Sequence, residues 1–177
     1  MSVLETIEEQ CAFSFTGRVN ILKQQDRQYL GVVFIKDGKI VSSQYAKKTG
    51  VTALYSLIIC DIDELENFKL VVEPEIVEES DLEFNLAFKD LKKKAERIYT
   101  DHLESKKLRP PDHLRIVINP EFIRTGEKPD VTEYKLLKVL TEFNKVLDIY
   151  KNCDLFDFEI TNCLVSLRKK NALKVLG

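Results

Sequence analysis

The side chains most able to do chemistry are four cysteines and two histidines: Cys11, Cys60, Cys153, Cys163, His102 and His113. No two cysteines form a C-x-x-C pair, and the histidines lie eleven residues apart in charged surroundings. A structural zinc site needs four closely spaced ligands. Isolated cysteines in apolar segments are typical of small buried side chains, so we expect no metal site, with a redox role as the less favoured alternative.

The sequence also lacks the motifs by which common enzymes are recognised. It contains no G-x-S-x-G, no phosphate-binding loop, no G-x-G-x-x-G and no H-E-x-x-H. Its many carboxylates are interspersed with lysines, which is typical of solvated helix faces. We therefore expect a protein that is not an enzyme and needs no cofactor, and we treat a nucleotide-binding sensor or an enzyme as the weaker alternative.

The amino-acid composition further limits the classes of protein to which this chain could belong. The 177 residues are 44% hydrophobic and 32% charged, and 27 basic against 29 acidic side chains give a net charge of −2. This suits one large or two small globular domains and is less basic than most nucleic-acid-binding proteins. No window is apolar enough to span a membrane. The acidic, amphipathic start differs from a signal peptide, so we expect a cytoplasmic protein.

Any site must be positioned by helices and strands, and the sequence pattern predicts that these form an α+β protein in three parts. Residues 1–78 are expected to form an α/β domain, 79–129 a long helix with a linker, and 130–177 a winged-helix-like domain. In the first part we predict helices over 3–11 and from about residue 50, and strands over 18–22, 29–35, 40–46 and 68–72. Asp37-Gly38 predicts a type I′ turn of an antiparallel hairpin.

The middle part opens on Ser80-Asp81-Leu82-Glu83, which has the pattern of a helix-capping box. We predict a helix from there to about Lys107, ended by two prolines and followed by a strand over 114–118 and a hinge over 125–129. Its apolar residues follow coiled-coil spacing: Phe84, Phe88, Leu91, Ala95 and Ile98. This seam is a candidate interaction surface; we favour packing against its own chain, with a homodimer as the alternative.

The last part predicts three helices and a strand, the order of a winged helix-turn-helix. Asp130 to Glu133 is a second capping pattern, and Asn171 suits a left-handed helix terminus. A DNA-binding regulator is therefore the alternative function. It is less favoured because Asp157 and Glu159 would face phosphates at the start of the recognition helix, although Thr161 and Asn162 could contact bases.

Three spaced blocks of the first part resemble the bacterial PATAN domain. They are FTGRVNIL at 15–22, GVVFIKDGKIV at 31–41 and GVTALYSL at 50–57, and the resemblance covers about residues 3–76. It departs from the family at residues 42–44, where the family often has H-A. Many such proteins continue into a winged-helix-like end, whose pattern is similar to residues 155–167 here, with Phe156 in place of the usual serine cap and Asn171 in place of a glycine.

The resemblance implies an adaptor of bacterial signalling or motility that acts by protein–protein interaction and performs no chemistry. Relatives of that family are fused to receiver domains, and some act on the motor ATPases of pili, so the implied partner is a receiver-domain protein, a motor ATPase or another signalling component. Asp37, Gly38 and Tyr45 border the family's signature hairpin and are further candidate interaction residues, although hairpin geometry alone also explains them.

Overall fold

A computed structural model of the chain describes residues 2–125 and 127–176. Within these residues, helices combine with a five-stranded antiparallel sheet and a separate two-stranded sheet, which confirms the α+β class. The chain divides into two compact units, 1–99 and 100–177. None of the helices in the described part is both long and apolar enough to cross a membrane.

The first unit is built on the five-stranded sheet, whose strands lie in the order β4-β3-β2-β1-β5. Its elements are α1 (Val3–Ala12), β1 (Gly17–Lys23), β2 (Tyr29–Lys36), β3 (Lys39–Tyr45), β4 (Lys48–Thr49), α2 (Gly50–Ile62) and β5 (Phe68–Pro74). The predicted helices and strands of this region are therefore confirmed, and β4 is an addition that the sequence did not indicate.

Alternation along β1 shows how the sheet is covered. Val19 and Ile21 are buried, whereas the residues that alternate with them, Arg18, Asn20 and Leu22, are only half-buried. The buried side faces α2, because Tyr45, in the same cross-strand row as Ile21, donates a hydrogen bond to Sγ of Cys60 (3.2 Å). The other side carries the half-buried Arg18, Asn20 and Leu22 and, opposite Asn20, the buried Val32.

The Asp37-Gly38 turn is confirmed. Both residues have positive φ angles, 49° and 73°, which a type I′ turn requires. The turn is also fixed from outside: the Asp37 N–H donates to Oγ1 of Thr16 (2.9 Å) and the Gly38 N–H to the carbonyl of Phe15 (3.0 Å). A Cβ at position 38 would lie 2.7 Å from the carbonyl oxygen of Cys11, so only glycine fits there.

The predicted start of the long helix at Ser80 is wrong. Residues Glu79–Asp81 form a single 3₁₀ turn, and the helix, α3, spans Phe88–Lys106. Between them, Ile40 and Leu86 exchange two main-chain hydrogen bonds at 2.9 Å, and the amides of Glu83 and Phe84 both donate to Val41. This segment gains long-range partners along the free part of β3, and they override the local capping pattern.

The predicted seam is mostly core. Leu91, Ala95 and Ile98 are buried, with 0%, 5% and 5% of their surface exposed, so they are not available to a partner. Lys94 on the same helix lies 5.5 Å from the centre of the Tyr55 ring of α2. Phe84 lies outside the helix, and Phe88 at its start is half-buried. The burial of these three central residues agrees with the favoured alternative, packing of the seam against its own chain, rather than with an exposed interaction surface.

The second unit contains β6 (Arg115–Ile118), α4 (Pro120–Thr125), α5 (Val131–Leu140), α6 (Val146–Asn152), α7 (Asp157–Lys169) and β7 (Leu173–Leu176). The predicted three helices and closing strand are confirmed, whereas α4 was not predicted. β6 pairs antiparallel with β7 and bridges to Lys145 between α5 and α6. The segment predicted as a separate part, 79–129, thus contributes elements to both units.

Two local signals in this unit are confirmed. Asp130 caps α5, since its carboxylate accepts from the Glu133 N–H (2.7 Å) and Glu133 accepts from the Asp130 N–H (2.9 Å). Asn171 has a φ angle of 56° after α7. In the predicted hinge, Thr125 ends α4 and residues 127–129 have no regular structure, while Gly126 lies outside the described residues.

Candidate functional site

An apolar groove runs between α4 and α5 in the second unit. It encloses about 410 Å³. Ile118, the nearly buried Phe122 and the half-buried Leu137 join it to the core of this unit. Two of its large side chains are exposed to solvent, Ile123 by 75% and Tyr134 by 60% of their surface. Exposed apolar side chains beside a concave apolar surface are typical of a binding site for another molecule.

The groove carries charged groups as well as apolar ones. Lys128 and Lys138 contribute ammonium groups and Glu127 one carboxylate, so the lining is positive by one charge. Val131, at the start of α5, is 77% exposed and stands one helical turn before Tyr134. Apolar side chains flanked by ammonium groups suit a segment with an apolar side and acidic neighbours.

A buried ion pair fixes the helix that carries Tyr134. The carboxylate of Glu133, 1% exposed, accepts hydrogen bonds from Nζ of Lys170 (2.9 and 3.0 Å) and from Oγ of Ser166 (2.7 Å), both late in or just after α7. Burial alone would raise the pKa of Glu133, but these hydrogen bonds and the one from the Asp130 amide outweigh it and lower the pKa. Glu133 therefore stays ionised and ties α5 to α7.

The start of α7 is poorly arranged for reading DNA. Asp157 in its first turn is held by Arg109, whose Nη1 lies 3.1 Å from the carboxylate, and Glu159 accepts the Phe156 N–H. Thr161 is buried, with its hydroxyl 2.7 Å from that of Tyr150. The expectation that Thr161 could contact bases is therefore wrong, whereas Asn162 is exposed.

The cysteines are placed as small, partly or fully buried side chains. Cys153 and Cys163 are buried, and Cys11 and Cys60 are half-buried. Burial raises the pKa of Cys11 to about 11 and that of Cys163 to about 12, so both thiols are protonated at neutral pH and are weak nucleophiles. Over residues 2–125 and 127–176, no cluster of three or more histidine, cysteine or carboxylate side chains is arranged to hold a metal ion.

The remaining residues predicted to form an interaction surface lie in two separate places in the first unit. Asp37 and Phe84 line one shallow depression of about 470 Å³ beside the hairpin, next to Gly38. Asp37 is exposed there but engaged with Thr16. Tyr45 lies elsewhere, against α2, where its ring meets that of Phe68 edge-on at 6.1 Å. The structure therefore does not gather these residues into one site.

Sequence reasoning missed the groove itself. Its clearest signal was Val131 and Tyr134, two large side chains three residues apart that do not share the face of Leu136 and Leu140 on α5. Such a second apolar stripe on a helix indicates a surface that is not packed on the helix's own core. α4, which supplies the opposite wall, carried no recognised helical pattern.

Comparisons with protein-family models, with curated proteins and with solved structures found no match to this chain.

Proposed function

We propose that this protein is a non-enzymatic adaptor that acts by binding another protein, and that the α4–α5 groove receives an amphipathic helix of that partner. The observation that supports this most strongly is the exposure of Ile123 and Tyr134 in an apolar groove, with the exposed Val131 one helical turn before Tyr134. Tyrosine in such a position is a frequent energetic centre of interfaces, because its ring buries apolar area while its hydroxyl keeps a polar contact.

The charges of the groove define the partner's chemistry. Lys128 and Lys138 favour acidic residues beside the apolar positions of the bound helix. Lys135, adjacent to Tyr134 and also exposed, adds to the same potential. The contribution of these lysines falls as salt rises, whereas the apolar contacts do not weaken in the same way.

The PATAN-like resemblance of residues 3–76 and the winged-helix-like order of 130–177 support a role in bacterial signalling or motility. On this proposal the partner is a receiver-domain protein, a motor ATPase or another component of such a pathway. The acidic start of α7 and the buried Thr161 favour a protein partner over DNA. Binding of duplex DNA at physiological salt would argue against this choice.

Affinity capture with crosslinking from the native cell tests the proposal. The baits are the full chain, its Tyr134→Asp variant, and a Leu108→Asp variant as the matched control, since Leu108 is 55% exposed in the same unit but outside the groove. We expect one protein to be recovered by the unaltered chain and the control, with crosslinks to α4 or α5. Removing a side chain that contributes about 2 kcal/mol to the binding free energy weakens binding about 30-fold. The Tyr134→Asp bait should therefore not recover this protein.

Equal recovery by all three folded baits, or crosslinks confined to other surfaces, would overturn the groove as the binding site. Recovery of nothing reproducible by any folded bait would contradict the adaptor function itself.

A further inference from the structure

Strand β5 ends the sheet of the first unit with an open edge. In the described residues it pairs with β1 alone, in an uninterrupted antiparallel register from Gly17 opposite Pro74 to Lys23 opposite Phe68. The next pair in this series is Gln24 and Asn67, and the Gln24 N–H donates to the Asn67 carbonyl (2.8 Å). This bond shows which residues of β5 direct their main-chain groups toward β1.

Hydrogen-bonded pairs alternate along an antiparallel ladder. Because Asn67 directs its main-chain groups to β1, every second residue after it does the same: Lys69, Val71 and Glu73. The main-chain groups of the residues between them point outward, away from β1: Phe68, Leu70 and Val72. Pro74 continues the outward set, where its missing N–H leaves the β1 ladder intact. The free edge thus presents the N–H and C=O groups of an apolar strand segment.

We propose that this edge pairs with β5 of a second copy of the chain, antiparallel, on a twofold axis at Val71. In this register Leu70 and Val72 of the two copies exchange main-chain hydrogen bonds in both directions. Lys69 of each copy then stands opposite Glu73 of the other, so the edge is complementary in charge to itself. The contact is isologous, as expected for a closed dimer.

Charge and proline select this register from its neighbours. A shift by two residues in one direction places Lys69 opposite Val71 and leaves the charges unmatched. A shift in the other direction places Lys69 opposite Glu75 and Glu73 opposite Val71. It also moves Pro74, which has no N–H, from a place opposite Phe68 at the end of the strand to one opposite Leu70 near its middle. Charged side chains on edge strands normally prevent association, but here opposite charges four residues apart favour the symmetric register, because only in it do both Lys69 and Glu73 face a partner of opposite charge.

Contacts within the unit already hold Glu73 in place. Its Oε2 accepts from Nδ2 of Asn20 (2.7 Å) and lies 3.0 Å from Nη2 of Arg18, on the side of the sheet that faces away from α2. Lys69 lies on the same side, because it is opposite Leu22 in the same alternation. On the covered side, the half-buried Leu70 and Val72 of each copy would pack against those of the other, so two five-stranded sheets become one continuous sheet.

The test is the solution mass of the full chain and two single variants, Lys69→Glu and Glu73→Lys, by light scattering and sedimentation. The unaltered chain should reach twice its mass of 20.5 kDa with rising concentration. Each variant places like charges opposite each other at both symmetry-related positions, and its dimer should dissociate about tenfold more readily. Glu75→Lys is the control, since Glu75 also contacts Arg18 (3.3 Å) but follows the strand.

Mixing the two variants gives the sharpest result. The Lys69→Glu chain carries acidic side chains at both edge positions and the Glu73→Lys chain carries basic ones at both, so opposite charges meet again at each cross-strand pair. The mixture should therefore form heterodimers more readily than either variant pairs with itself. A monomeric unaltered chain at high concentration would overturn the proposal. So would two variants that dimerise as well as the unaltered chain, or a mixture of folded variants without heterodimers.

Discussion

The two units leave different kinds of surface open. The first unit exposes main-chain groups along β5, whose recognition depends on register and therefore suits a copy of the same strand. The second unit exposes side chains around the α4–α5 groove, where Tyr134 and Ile123 suit a different, complementary segment. Our two proposals accordingly assign self-association to the first unit and partner binding to the second.

The largest expected loss of stability comes from a substitution in α3. If the apolar seam of α3 were an exposed surface rather than core, the first unit would also bind through side chains, and the contrast between the two units would weaken. Leu91→Glu places a carboxylate at a fully buried position, so the free energy of unfolding should fall by more than about 4 kcal/mol. Thermal and urea unfolding followed by circular dichroism measure it, with the exposed Lys92→Glu as the control. A folded, monomeric Leu91→Glu chain would show instead that the seam joins two copies.

The next effect concerns the ion pair that positions the groove. Glu133→Gln leaves Lys170 without its carboxylate and should cost about 3 kcal/mol of stability in the second unit. Urea unfolding followed by tyrosine fluorescence measures this loss, with the exposed Glu142→Gln as the control. A loss equal to that of the control would mean that the pair does not hold α5.

The same carboxylate gives the second unit a pH dependence. Folding lowers the pKa of Glu133 from its ordinary value of 4.5, so its contribution is present above pH 4.5 and disappears as the pH falls through the lowered, folded-state pKa. Stability of the unaltered chain should therefore drop in this acidic range, and Glu133→Gln should flatten that drop. Unfolding curves from neutral pH down through this acidic range provide the check, and parallel profiles for both chains would contradict it.

A smaller effect is expected at the hairpin turn of the first unit. Gly38→Ala forces a side chain into a positive φ angle and against the Cys11 carbonyl, which should cost about 1–2 kcal/mol. Thermal unfolding measures it against Lys39→Ala at the neighbouring exposed position. An unchanged melting temperature would show that the turn is not held against the loop after α1.

Local signals predicted the elements well, and long-range pairing explains the failures. Asp37-Gly38 and the Asp130–Glu133 cap each specify their geometry within four residues, and both were predicted from sequence. The pattern at Ser80–Glu83 was equally strong locally, but hydrogen bonds to Ile40 and Val41, some forty residues away in sequence, extended the segment instead.

The candidate surfaces were harder to predict than the elements. The groove needs α4, a six-residue helix, to stand beside α5, and Lys170 to reach Glu133 across 37 residues of sequence. The open edge of β5 follows only from strand order, since Lys69, Glu73 and Pro74 among its apolar residues do not by themselves say which strand it pairs with. Neither arrangement is encoded in a short motif, so single-sequence reasoning did not identify these surfaces.

Residue-resolved amide hydrogen exchange at several protein concentrations is the sharpest test of whether two copies pair through β5. We expect the amides of Leu70 and Val72 to become protected as concentration rises. The amides of Lys69 and Val71, already bonded to β1, and those around Tyr134 should stay unchanged. Exchange at Leu70 and Val72 that is independent of concentration, or new protection confined to the groove, would contradict this pairing.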